Sequence, residues 1–70
     1  MQEIVFTIKG DSIQLIQLLK ATGLADSGGE AKTMVESQKV MLNGQLELRK
    51  RAQLKAGDKV SIGTNVIIVS

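Results

Sequence analysis

At the start of the chain Ile4, Phe6 and Ile8 alternate with Val5, Thr7 and Lys9. A period of two, rich in β-branched residues, sends every second side chain to one face and predicts a strand over residues 3–9. Gly10 ends it. The spacing then changes: Leu15, Leu18, Leu19 and Thr22, widened by Ile16, recur at the intervals of one helix face. Asp11, with Gln14 three residues on, matches a reciprocal cap in which each side chain satisfies a free backbone N–H. Helix one is therefore expected from Asp11 to Thr22, with Gly23 in the left-handed conformation that closes a helix and Leu24 folding back. Ser27-Gly28-Gly29-Glu30 is a second capping box. Ala31, Met34 and Val35 form the buried stripe of helix two, while Lys32, Thr33, Glu36 and Lys39 face outward.

The rest of the chain reads as β. Val40-Met41-Leu42 leads into Asn43-Gly44, the strongest two-residue hairpin signal present. The return strand runs from Gln45 to Leu48. A two-residue loop pairs Met41 with Leu46 and Leu42 with Gln45, so both faces mix apolar and polar residues. Because a strand follows helix two at once, Gln38 or Lys39 is expected in the left-handed region. Arg49-Lys50-Arg51 has no apolar period and reads as a loop or edge. Ala56-Gly57-Asp58 turns into a strand over Lys59–Ile62, Gly63-Thr64 or Thr64-Asn65 turns again, and Val66–Val69 is a buried closing strand. A strand, two helices and then about four strands make an α+β fold, two helices on one side of a small, mostly antiparallel sheet of four to five strands. Residues 1–70 form one domain.

Composition narrows what such a domain can do. A chain of 70 residues buries only about 60% of the surface its unfolded form exposes, so function belongs on the surface or in a shallow groove. Cys, His, Trp, Tyr and Pro are absent, and Phe6, which the strand pattern buries, is the one aromatic. That removes a disulfide frame, a zinc site of the usual kind and any histidine-assisted nucleophile. Catalysis, cofactors and a small-molecule substrate are not expected. Met1-Gln2-Glu3 lacks the start of a signal peptide, and no run approaches the roughly 20 apolar residues of a membrane span. A cytoplasmic monomer without membrane contact is the expectation.

Charge is unevenly placed. Residues 1–31 carry two bases against four acids, whereas residues 32–59 carry seven bases (Lys32, Lys39, Arg49, Lys50, Arg51, Lys55, Lys59) against three acids (Glu36, Glu47, Asp58). Such asymmetry points to an anionic partner. Arg49 and Arg51 offer planar donor forks that suit phosphate; in an extended segment they share one face and Lys50 takes the other. Lys32 and Lys39, seven apart, share the exposed side of helix two. The plainer alternative is a solvated surface with Glu36 pairing to Lys32. Ser27-Gly28-Gly29 is a second candidate, an anion site at a helix start, but Glu30 brings negative charge to the same turn and a simple cap accounts for it. Asp26, Glu30 and Asp58 all have structural explanations at helix starts or turns.

Together, Ser27-Gly28-Gly29-Glu30-Ala31-Lys32, the pair Met34-Val35, Val40-x-Leu42-Asn43-Gly44 and Leu54-x-x-Gly57-Asp58-x-Val60 resemble the αL RNA-binding motif family named for the small-subunit ribosomal protein S-four. The same motif is appended to pseudouridine synthases and tyrosyl-tRNA synthetases. Leu18-Leu19-Lys20-Ala21-Thr22-Gly23 ahead of it looks most like the stand-alone, YbcJ-type bacterial proteins. The resemblance spans residues 13–62. It implies binding of structured RNA, rRNA- or tRNA-like, through helix two and the basic hairpin, with Lys32, Lys39, Asn43, Gln45, Arg49, Lys50, Arg51 and Lys55 as the contact surface. It carries over no catalytic domain. Two positions depart from the wider family: Gly28 stands where an Arg is common, and Gln38 where a Gly commonly ends helix two. Readers of single-stranded RNA usually stack bases on aromatic side chains. With only Phe6, recognition should be of folded shape through phosphates and 2′-hydroxyls. The competing expectation is a protein-interaction adaptor whose basic face meets an acidic partner.

Overall fold

In the computed structural model, which describes residues 2–70, the N-terminal alternation folds as strand β1, Gln2–Phe6. Met1 lies outside the described residues. The strand is shorter than the predicted 3–9, although Ile8 still packs on the core and its N–H donates to the Ser70 carbonyl at 2.9 Å. Strands β2 (Ile13–Gln14), β3 (Val40–Leu42), β4 (Gln45–Leu46), β5 (Gln53–Leu54), β6 (Lys59–Ile62) and β7 (Asn65–Val69) follow, with helices α1 (Leu15–Ala21) and α2 (Gly28–Glu36) between β2 and β3. Five strands make one mixed sheet in the order β1-β7-β6-β3-β4, in which only β1 and β7 run parallel. The remaining two, β2 and β5, form a separate antiparallel ribbon.

Register explains the core. Leu42, Val60, Ile67 and Ile4 stand in one row across the sheet. Two residues away on the same face lie Val40 with Ile62 on one side and Val69 with Phe6 on the other. Against them pack Leu15, Leu18 and Leu19 from α1 and Ala31 and Val35 from α2, all fully buried. Phe6 is half-buried rather than buried, because β1 is the border strand of the sheet.

Three expectations are corrected by this arrangement. Helix one does not start at Asp11: α1 begins at Leu15, and Gln14 precedes it in extended conformation without a side-chain cap. A longer-range bond set wins over the local cap. Ile13 pairs with Leu54 and Gln14 with Gln53, and the Ser12 hydroxyl donates to Gln53 Oε1 at 2.8 Å. Helix two ends at Glu36, so Lys39 is not on it and shares no helical face with Lys32. Gln38 intervenes with φ of +63°, the left-handed residue expected between helix and strand. The return strand of the hairpin stops at Leu46 instead of Leu48.

Other local expectations hold. Gly23 takes φ of +82°, and its N–H reaches the Lys20 carbonyl at 3.1 Å. Ser27 Oγ accepts from the Glu30 N–H at 3.2 Å, though among the described residues the reciprocal bond from the Glu30 side chain is not formed. No helix among them is long and apolar enough to cross a membrane.

A non-glycine residue in the left-handed region costs about 1 kcal/mol, so Gln38→Gly is expected to leave stability unchanged or raise it by up to that amount in urea denaturation. A fall in midpoint would mean that Gln38 contributes contacts outweighing its backbone strain. Ser27→Ala removes one cap bond and should lower stability by roughly 0.5–2 kcal/mol in the same measurement.

Candidate nucleic-acid interface

The hairpin between β3 and β4 is built as its sequence predicts. Asn43 and Gly44 have φ of +51° and +84°, the pair of positive values that a type I′ turn requires. Met41 faces Leu46 and Leu42 faces Gln45. The Glu47 N–H donates to the Val40 carbonyl at 3.0 Å, carrying the ladder one pair further. Lys39 immediately precedes β3 and is exposed.

The hairpin tip is tied to the turn before β6 through Asn43. Its N–H donates to the Lys59 carbonyl (2.8 Å), its Oδ1 accepts from the Lys59 N–H (2.9 Å) and its Nδ2 donates to Asp58 Oδ1 (3.2 Å). The other oxygen of Asp58 accepts from the Lys55 N–H at 2.8 Å. One Asn–Asp contact thus gathers Lys55 and Lys59 at the tip. Half of the Asn43 side chain's hydrogen-bonding capacity, one N–H and one lone pair, is thus used inside the protein.

At the other end, residues 49–52 form a tight turn closed by the Ala52 N–H on the Arg49 carbonyl at 3.1 Å. Lys50 and Arg51 occupy its central positions, the first half-buried and the second exposed. The segment is therefore not extended, and strand parity does not govern how its three cations point. Its backbone serves α1: the Lys50 carbonyl accepts from the Ile16 N–H (3.1 Å) and the Ala52 carbonyl from the Leu15 N–H (2.9 Å). These are amides that a helix's first turn leaves without internal partners. A short basic turn and a short helix complete each other.

Glu47, counted in the sequence only as one of the acids among the bases, anchors this turn. It is 8% exposed, and its Oε2 accepts from the Arg49 N–H (3.0 Å) and Nε (3.1 Å) while Oε1 accepts from the second guanidinium nitrogen (3.2 Å). Both residues follow the end of β4, outside any regular strand, so no periodicity along the chain marks the pair. Hydrogen bonds from the Arg49 side chain and backbone hold the Glu47 carboxyl below the usual glutamate range, overcoming the opposing effect of burial. Glu47–Arg49 is the one ion pair among the described residues; Lys32 and Glu36 do not pair. Lys32 stays exposed on α2, and Gln45 is exposed on β4.

Because the folded-state pKa of Glu47 lies below its unfolded value, the clamp's contribution is fully present above the unfolded value, near 4.5, and is lost as pH falls through the folded one. Acid titration of stability should show a loss beginning below that pH. Glu47→Gln should reduce the acid-dependent part, as followed by urea denaturation at neutral and acid pH.

A family model described as an S4 domain matches residues 6–70. The YbcJ protein of Escherichia coli (strain K12) is 36% identical over 63 residues, covering 89% of this chain and 90% of that one, and YbcJ of Shigella flexneri matches to the same extent. The solution structure of E. coli YbcJ, described as revealing an αL motif involved in RNA binding, superposes with a TM-score of 0.69 at 32% identity over 99% of this chain and 86% of that chain. With the motif residues, the two helices on a five-stranded sheet and this likeness in place, the chain belongs to the S4 domain family.

Proposed function

We propose that this chain binds structured RNA, rRNA- or tRNA-like, as a non-catalytic shape reader that contacts phosphates and 2′-hydroxyls. The observation that carries the reading is the Lys50–Arg51 turn, whose backbone is fixed between the hairpin and the first turn of α1. With its backbone already fixed, the turn itself need not be ordered when its cations meet a phosphate track. Arg49, Lys50 and Arg51 form the centre of the proposed contact surface, with Lys39 at the hairpin base and Gln45 and Lys55 toward the tip. Lys32 adds a contact from α2. Asn43 acts chiefly through the frame, by holding Lys55 and Lys59 against the hairpin. Family membership supports RNA as the anion, and the lack of exposed aromatic rings supports folded over single-stranded targets.

One observation favours the competing adaptor reading: Met41, Leu46 and Leu48 are exposed apolar side chains on the hairpin itself. A complex recovered from cells that survives ribonuclease treatment, together with no binding to folded RNA, would establish that reading instead.

Lys50→Gln with Arg51→Gln preserves the turn's backbone bonds and should leave the fold intact. If about five phosphates are contacted, the slope of log K against log salt should lie near −3.5 to −4.5 and become shallower by roughly 1.5 in the double variant. Affinity should fall to a similar degree for stem-loops of different sequence, since phosphates carry no base identity. A DNA stem-loop should bind more weakly than its RNA counterpart, and Lys9→Ala should change little. Fluorescence anisotropy in a salt series measures all four, and an unchanged slope in the double variant would move the contact surface elsewhere.

A further inference from the structure

Glu47 is the one acidic side chain buried among the described residues. A buried carboxylate is unfavourable unless it is paired, and both of its oxygens are taken up by Arg49. Within a basic segment this acid looks out of place, because it lowers the positive potential where an RNA backbone would approach. Its geometry gives it a different meaning. The carboxylate grips the guanidinium from the side, through Nε and one terminal nitrogen. Of the five guanidinium N–H groups, two are used there and three remain. The remaining edge, formed by the two terminal nitrogens, is itself a donor fork whose spacing suits two phosphate oxygens. The Arg49 side chain is 78% exposed despite the ion pair. Its carbonyl closes the turn that carries Lys50 and Arg51.

We propose that Glu47 is a positioning residue for phosphate binding: it clamps one edge of the Arg49 guanidinium so that the other edge stands fixed as a phosphate fork at the shoulder of the Lys50–Arg51 turn. The inference rests on the RNA-binding reading and deepens it. An unclamped arginine samples many rotamers and must be ordered on binding, whereas a clamped one is ordered already. Positioning and simple electrostatics then predict opposite signs for one substitution. Glu47→Gln raises the net charge by one, so charge alone would make RNA binding tighter and its salt dependence steeper. Loss of the clamp makes binding weaker and shallower.

The test uses the full chain and a fluorescently labelled RNA stem-loop, with anisotropy across a salt series and the folded fraction checked by circular dichroism. Glu47→Gln should bind roughly fivefold more weakly, with a salt slope shallower by about 0.7–0.9, the loss of one phosphate contact. Arg49→Lys keeps the charge and leaves Glu47 in place but has no second fork. It should show a similar loss, and it keeps the test intact if Glu47→Gln does not fold. In an Arg49→Gln background, Glu47→Gln should add no further loss, because the two act as a unit. Equal or tighter binding by Glu47→Gln, unchanged binding by Arg49→Lys, or additive losses in the double variant would overturn the positioning role while leaving RNA binding in place. Failure of the wild-type chain to bind the stem-loop at low salt would overturn RNA binding, and the positioning role with it.

Discussion

The amides of Leu15 and Ile16 and the carbonyls of Ala52 and Lys50 satisfy one another across a sequence separation of more than thirty residues. A seven-residue helix is too short to persist on its own, and a turn of three consecutive cations offers only Ala52, its last residue, to the core. Joined, each supplies what the other lacks. The helix gains partners for its first turn and presents Leu15, Leu18 and Leu19 to the sheet. The turn gains a fixed course and holds its charges at one place on the surface. The β2–β5 ribbon is the continuation of this contact, and it displaces the local cap at Asp11.

Two further contacts shape the proposed interface from either end of the hairpin. Asn43 and Asp58 lock the tip to the turn before β6, bringing Lys55 and Lys59 alongside. Glu47 and Arg49 lock the base to the basic turn. Both use an acid among basic residues: Asp58 accepts from the Lys55 N–H and the Asn43 side-chain amide, and Glu47 from the Arg49 N–H and guanidinium. In a chain of modest net charge, +2, two of the three acids of the basic segment, Glu47 and Asp58, are thus engaged in holding its frame.

Much of this was determined by sequence alone. The period-two and period-3.6 stripes, Gly23 and Ser27 at helix ends, and Asn43-Gly44 in the hairpin act through contacts a few residues apart, so neighbouring residues suffice to specify them. Gln38 in the left-handed region belongs here too, since a helix and a strand meet there with no room for a longer loop. The motif residues of the S4 domain family are local in the same sense, each marking a turn or a cap. Tertiary structure decided the rest. Where α1 begins depends on β5, some forty residues away, because long-range backbone pairing outweighs one side-chain cap. Lys39 left the helix, and Arg49–Arg51 became a turn, because the strands on either side fix the chain's exit directions. The Glu47–Arg49 pair emerged only in three dimensions, since a carboxylate's partner is set by burial, which composition and spacing do not encode.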